Sequence, residues 1–127
     1  MRAIDTNVLV RLITRDDEEQ VASAEQFIAN GAWVSYLVLA ETSWVLDSVY
    51  DRSREEIASA VEMLLNHEHL AVQDQDVVEA AVAKFRRHKR VSLSDVLILE
   101  LARKGGHSPL GTFDRDFAKL EGAEHLT

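Results

Sequence analysis

The chain has no cysteine in its 127 residues, which excludes disulfides, cysteine nucleophiles and thiolate zinc sites. It also lacks any uninterrupted apolar run of about 18 residues, the length a membrane-spanning helix needs. The opening Met1-Arg2-Ala3-Ile4-Asp5 carries neither a basic leader nor a long apolar core. The expectation is a protein that is neither exported nor membrane-spanning, with a cytoplasmic home. Basic charge is scarce: 14 Lys and Arg stand against 22 Asp and Glu, for a net charge of −8 and a pI near 5.0. Affinity for polyanions usually rests on Lys and Arg, so a generic nucleic-acid-binding surface is excluded. A phosphate-bearing substrate needs metal ions or a local basic patch. Repeats, low-complexity segments and linkers are absent as well. The length suits a single domain over residues 1–127, enough to close one core without staples.

What is present is an alternation of short apolar strands with helices. Arg2-Ala3-Ile4 reads as a strand and Asn7–Thr14 as a helix, with Asp5 at their junction. Helical spacing recurs over Asp17–Asn30, with Gly31 as its stop, and Trp33-Val34-Ser35 reads as a second strand. Helices are predicted over Leu37–Tyr50, Ser53–Asn66 and Asp76–Arg90, and a strand over Leu70–Gln73. Asp95 opens a strongly apolar helix that stops at Gly105-Gly106; strands over Pro109–Thr112 and Ala123–Leu126 complete the pattern. This order predicts an α/β fold with a short, mainly parallel sheet flanked by helices on both faces.

Four carboxylates, Asp5, Glu41, Asp95 and Asp114, interrupt or adjoin apolar runs, whereas the other acids lie mostly in polar contexts. An ionised carboxylate at a core boundary is costly unless it is paired, hydrogen-bonded or metal-bound. Several together point to a shared cation, and all-oxygen ligands suit Mg²⁺ or Mn²⁺. Ligands in such sheets collect beyond the strand carboxyl ends, where Asp5 and Asp114 fall, with Glu41 and Asp95 in the first turns of helices. Leu37, Glu41, Val45 and Val49 form one helical row, predicted to face the core. Each acid also has a plainer role open to it. Asp5 suits a helix cap, Glu41 a buried pair with an arginine, Asp95 a capping arrangement with Ser92, and Asp114 and Asp116 a loop or cap.

Asp5-Thr6-Asn7 after the first strand, Glu41 in the helix after the second, Asp95 before an apolar helix and the terminal Thr112-Phe113-Asp114-Arg115-Asp116-Phe117 together resemble PIN-domain ribonucleases. The likeness is to VapC-type toxins and covers essentially the whole chain. It implies a PIN-like fold, with Asp5, Glu41, Asp95 and Asp114 as catalytic metal ligands, Asp116 as an auxiliary acid, and Asn7 and Thr112 as polar supports. It also implies an RNA substrate, a VapB-type antitoxin partner and a homodimer. The alternatives are a general RNA-processing PIN nuclease and a non-catalytic PIN scaffold that binds RNA or a protein. A phosphoacceptor receiver domain shares the architecture, but no lysine follows a late strand at the place such a site needs.

Phosphodiester hydrolysis requires an activated water and stabilisation of extra negative charge, and two metals about 3.5–4 Å apart supply both. The only strong basic run, Lys84-Phe85-Arg86-Arg87-His88-Lys89-Arg90, has two readings. Lys84, Arg86, Arg87, Lys89 and Arg90 contact RNA phosphates, or they complement a helix C-terminus and stay solvated.

Overall fold

Strands of two or three residues are interspersed with α-helices of nine to thirteen. The computed structural model describes Met1–Thr127, and the chain divides into two compact units, Met1–Gln75 and Asp76–Thr127. The first contains β1 (Arg2–Ala3), α1 (Thr6–Thr14), α2 (Glu18–Ile28), β2 (Ala32–Val34), α3 (Tyr36–Ser48), α4 (Arg54–Leu65) and β3 (Leu70–Val72). Side chains set the helix starts. Asp5 accepts the Val8 N–H at 3.1 Å, Asp17 the Gln20 N–H at 3.0 Å, and Ser35 the Val38 N–H at 3.2 Å. Before α4, Ser53 and Glu56 form a reciprocal capping box, Glu56 N–H to Ser53 Oγ at 3.1 Å and Ser53 N–H to Glu56 Oε1 at 2.9 Å. Each device satisfies backbone donors that the helix itself cannot. After α2 the chain reverses at Gly31, whose φ of 95° lies where a side chain is strained.

β1, β2 and β3 form a parallel sheet in that order, with Ala3 opposite Trp33 and Trp33 opposite Ala71. Parallel neighbours need crossovers. Helices α1 and α2 link the first pair, and α3 and α4 the second. Helix α1 packs on α2 and α3, and α4 packs on α3 and β3. Leu9, Ile28, Val34, Leu39 and Leu46 are the most deeply buried large side chains of this unit. The Arg2 guanidinium lies over the Phe27 ring at 3.6 Å.

The second unit comprises α5 (Gln75–Arg87, starting at the boundary residue), α6 (Leu93–Lys104), β4 (Leu110–Thr112), a 3₁₀ turn over Phe117–Lys119 and β5 (Ala123–His125). β4 and β5 pair in parallel, Leu110 opposite Ala123, and the 3₁₀ turn packs on both strands. Val78, Val96 and Leu99 are almost fully buried.

Every strand pairing is parallel, as the alternation predicted, but the strands divide into a three-stranded and a two-stranded ladder. The Asp76–Arg90 helix ends at Arg87, and the 3₁₀ turn was not anticipated. The larger correction concerns α3. The row predicted to face the core points outward: Leu37 is 77% and Val49 66% exposed, Glu41 is exposed, and the neighbouring Trp44 is 64% exposed. Leu39, Thr42, Ser43 and Leu46 are buried in its place. Helix α3 is apolar around most of its circumference, so periodicity alone does not choose its inner face.

That inner face contains a cost. Thr42 is 3% exposed and its Oγ1 has no hydrogen-bond partner, whereas Ser43 Oγ donates to Ala40 O at 2.7 Å. A buried hydroxyl left unpaired costs about 1–3 kcal/mol. Thr42→Val keeps the shape and removes the hydroxyl, so urea denaturation should show a gain of about 1 kcal/mol. Leu46→Ala on the same face should lose about 2–5 kcal/mol.

Candidate active site

The residues singled out from the sequence fall into two groups. Asp5, Asn7 and Glu41 belong to the first unit; Asp95, Thr112, Asp114 and Asp116 belong to the second.

In the first unit, β1 ends into α1 through Ile4, whose N–H bonds Trp33 O at 3.2 Å. Asp5 is then left extended at the helix start with Oδ1 on the Val8 amide. The capping role that the sequence allowed is therefore realised, and it orients the carboxylate while engaging only one oxygen. Asp5 and Asn7 share a cleft of about 340 Å³ with Arg11, Gln20, Ser23 and Phe27. Arg11 anchors one wall. Its guanidinium donates to Gln20 Oε1, to Tyr50 Oη at 2.8 Å and to Asp16 Oδ1 at 3.2 Å. Tyr50 Oη donates in turn to Asp16 Oδ2 at 3.0 Å, and Thr14 Oγ1 lies 2.9 Å from Asp16 Oδ1. The Thr14 hydroxyl, opposed by partial desolvation and helped by Tyr50, holds the Asp16 carboxyl below its ordinary range. Sequence reasoning missed this network because Tyr50 is 39 residues from Arg11, and no local pattern links them.

Glu41 lies in the second turn of α3 rather than the first, exposed between Leu37 and Trp44 on the outward face. A buried pair with arginine is thereby ruled out.

In the second unit, Ser92 caps α6 by accepting the Asp95 N–H at 3.1 Å. No reciprocal bond runs from the Asp95 carboxylate, which is half-buried in the first turn. The capping arrangement is thus half formed and leaves that carboxylate unused. At the end of β4, Thr112 Oγ1 accepts the Asp114 N–H at 3.0 Å. Asp114 Oδ1 accepts the N–H groups of Asp116 at 2.9 Å and Phe117 at 3.1 Å. This Asx-type turn opens the 3₁₀ turn and aims Asp114. Asp116 lies 3.5 Å from Lys119 Nζ. In the basic run, Lys84 is ion-paired with Glu100, both side chains largely buried, so it is the least available of the five cations for an external phosphate.

The family model for the PIN domain matches residues 3–123. The chain belongs to the PIN domain family. No curated protein and no solved structure gives a significant match. PIN domains have a nuclease-type fold and are generally metal-dependent nucleases. The match spans both units, and the parallel α/β architecture accords with it.

The donor chemistry of the acids fits a hard divalent cation: Asp5, Glu41, Asp95 and Asp114 are carboxylates, none engaged in an ion pair. No group of three or more His, Asp or Glu side chains in the structure is placed to hold a metal ion. No helix is long and apolar enough to cross a membrane.

The Asp16 network yields a pH prediction. A carboxyl whose folded pKa is depressed contributes stability that is complete above the ordinary Asp range and is lost as pH falls through the depressed value. Tyr50→Phe removes one of the bonds that depress it. The variant should melt below the parent at neutral pH, and the gap should narrow as pH drops through the Asp16 titration; a gap independent of pH down to strong acid would contradict the assignment.

Proposed function

We propose that this PIN domain is a Mg²⁺- or Mn²⁺-dependent endoribonuclease that acts as the toxin of a VapBC-type toxin–antitoxin pair in the cytoplasm. The observation that supports the catalytic part is the match of the PIN family model to residues 3–123; Asp5, Glu41, Asp95 and Asp114, the acids that the resemblance singles out, all fall within it, and none of the four is neutralised by an ion pair.

Asp5, Glu41, Asp95 and Asp114 would hold the metal, with Asp116 as an auxiliary acid. Bound divalent ions supply a water of lowered pKa and countercharge for the phosphorane-like transition state. The protein's own part is orientation. The Val8 amide fixes Asp5, the Asp116 and Phe117 amides fix Asp114, and Thr112 fixes the Asp114 backbone. Backbone donors hold these carboxylates without adding a competing positive side chain. Asn7, in the cleft beside Asp5, is placed as a polar support.

The partner half of the proposal rests on α3. Leu37 and Trp44 expose large apolar side chains on one face of α3, and a soluble monomer rarely leaves a large apolar patch uncovered. A second copy of the chain or a VapB-type antitoxin is the cover proposed. A second reading, a non-catalytic PIN scaffold that binds RNA without cutting it, is favoured by the lack of any three-acid grouping.

End-labelled total bacterial RNA incubated with the purified protein in Mg²⁺, Mn²⁺ or chelator separates these readings. The nuclease gives discrete, metal-dependent fragments that Asp5→Asn abolishes, and Thr112→Val reduces cutting about 10–100-fold, the usual cost of losing a group that orients a metal ligand. Divalent metal should also raise the melting temperature of the parent and not that of Asp5→Asn. RNA binding with no cutting in either metal would leave the scaffold reading.

A further inference from the structure

The run from Arg87 to Arg90 does not simply trail into solvent. His88 N–H bonds Lys84 O at 2.9 Å, Val91 N–H bonds His88 O at 3.2 Å, and Val91 itself is 3% exposed. The segment is therefore a fixed turn between the end of α5 and the Ser92 cap of α6. With the 3₁₀ turn of the same unit it lines a cleft of about 340 Å³, whose walls carry Arg87, His88, Lys89, Arg90 and Lys119 with a single acid, Asp116. We propose that this cleft, made by Arg87, Lys89, Arg90 and Lys119, is a binding site for the phosphodiester backbone of single-stranded RNA, seated beside the Asp114–Asp116 turn.

Three observations carry the proposal. First, charge is segregated along the chain. Residues 76–127 hold nine of the 14 Lys and Arg but only eight of the 22 acids, a net of +1, whereas residues 1–75 have a net of −9. Second, the dipole of α5 accounts for cations in its last turn, Lys84, Arg86 and Arg87; Lys89 and Arg90 lie beyond that helix and Lys119 on a different element. Third, Arg87, Lys89 and Arg90 form no salt bridge within the protein. Lys119 meets only the partly exposed Asp116 at 3.5 Å, an exposed pair of the kind worth about 0–1 kcal/mol, which a phosphate can displace. A rigid turn bearing unpaired cations binds a polyanion at low ordering cost. The choice of RNA over an acidic peptide rests on the nuclease reading above, and the position of Asp116 in both the cleft and the acidic turn joins the two.

The test is fluorescence anisotropy of a labelled single-stranded RNA on full-length Asp5→Asn protein, in which cutting is suppressed, across a KCl series. Adding Lys89→Gln and Lys119→Gln together should weaken binding and reduce the salt slope by about 1.4, since each single-strand phosphate contact contributes about 0.7. Arg103→Gln, in the same unit and outside the cleft, should leave the slope unchanged, and melting curves check that each variant is folded. An unchanged slope in the double variant overturns the proposal, as does an equal reduction by Arg103→Gln or equal displacement by polyglutamate of matched charge. Cutting by the parent with an unaltered slope in the double variant removes the cleft and keeps the nuclease. A reduced slope with no cutting in any metal keeps the cleft and removes the nuclease.

Discussion

Parallel pairing of strands only two or three residues long is the constraint from which the rest of this molecule follows. A parallel neighbour cannot be reached through a tight turn, so the chain must cross over, through helices between β1, β2 and β3 and through the segment with the 3₁₀ turn between β4 and β5. Strand ends therefore run into helix starts, where the first amides have no partner of their own. At the end of β1 the chain supplies Asp5, at the end of β2 Ser35, and at the end of β4 Asp114 opening the 3₁₀ turn. The acid that satisfies those amides is also held by them, one oxygen inward on backbone N–H. The structural role and the proposed chemical role of Asp5 and Asp114 are thus one arrangement: the cap is what aims the ligand.

The same logic explains what was legible in the sequence. Caps and stops have local chemical signatures, so the starts at Asp17 and Ser53 and the stop at Gly105 were readable within a residue or two, as was the parallel alternation. The inner face of α3 was not, because Leu37, Val38, Leu39, Val45 and Leu46 surround the helix and a 3.6-residue period has nothing to contrast. Burial there was decided by tertiary packing, which placed Thr42 and Ser43 inside and Leu37 and Trp44 outside. Long-range pairings were equally hidden. Nothing near Arg11 announces Tyr50, and nothing in the basic run singles out Lys84 as the member already engaged with Glu100. Of the candidate site, the sequence offered the acids only as candidates, and their hydrogen bonds and exposure had to come from three dimensions.

The outward turn of α3 changes the meaning of Glu41. A buried carboxylate demands compensation by its surroundings, and an exposed one does not. Energetic necessity therefore no longer argues for a ligand at this position, and the case for Glu41 rests on its place in the family order. The flanking Leu37 and Trp44 move the other way. Their exposure has a cost that burial in a core would have removed, and that cost is the argument behind the proposed partner-covered face.

Net charge alone does not decide whether a chain can bind a polyanion. At physiological salt, charges separated by more than about 8 Å are largely screened from one another, so a phosphate meets the cations of a nearby turn and not the total of −8. The excess of acid lies in residues 1–75, and the cations collect where a fixed turn and the Asp116–Lys119 pair present them. A low pI argues against a generic polyanion-binding surface and leaves room for a local one. For a protein whose proposed chemistry requires unneutralised carboxylates, that separation is physically necessary: cations close enough to pair with Asp5 or Asp114 would compete with metal, and cations spread evenly would never reach the local density that grips a phosphodiester chain.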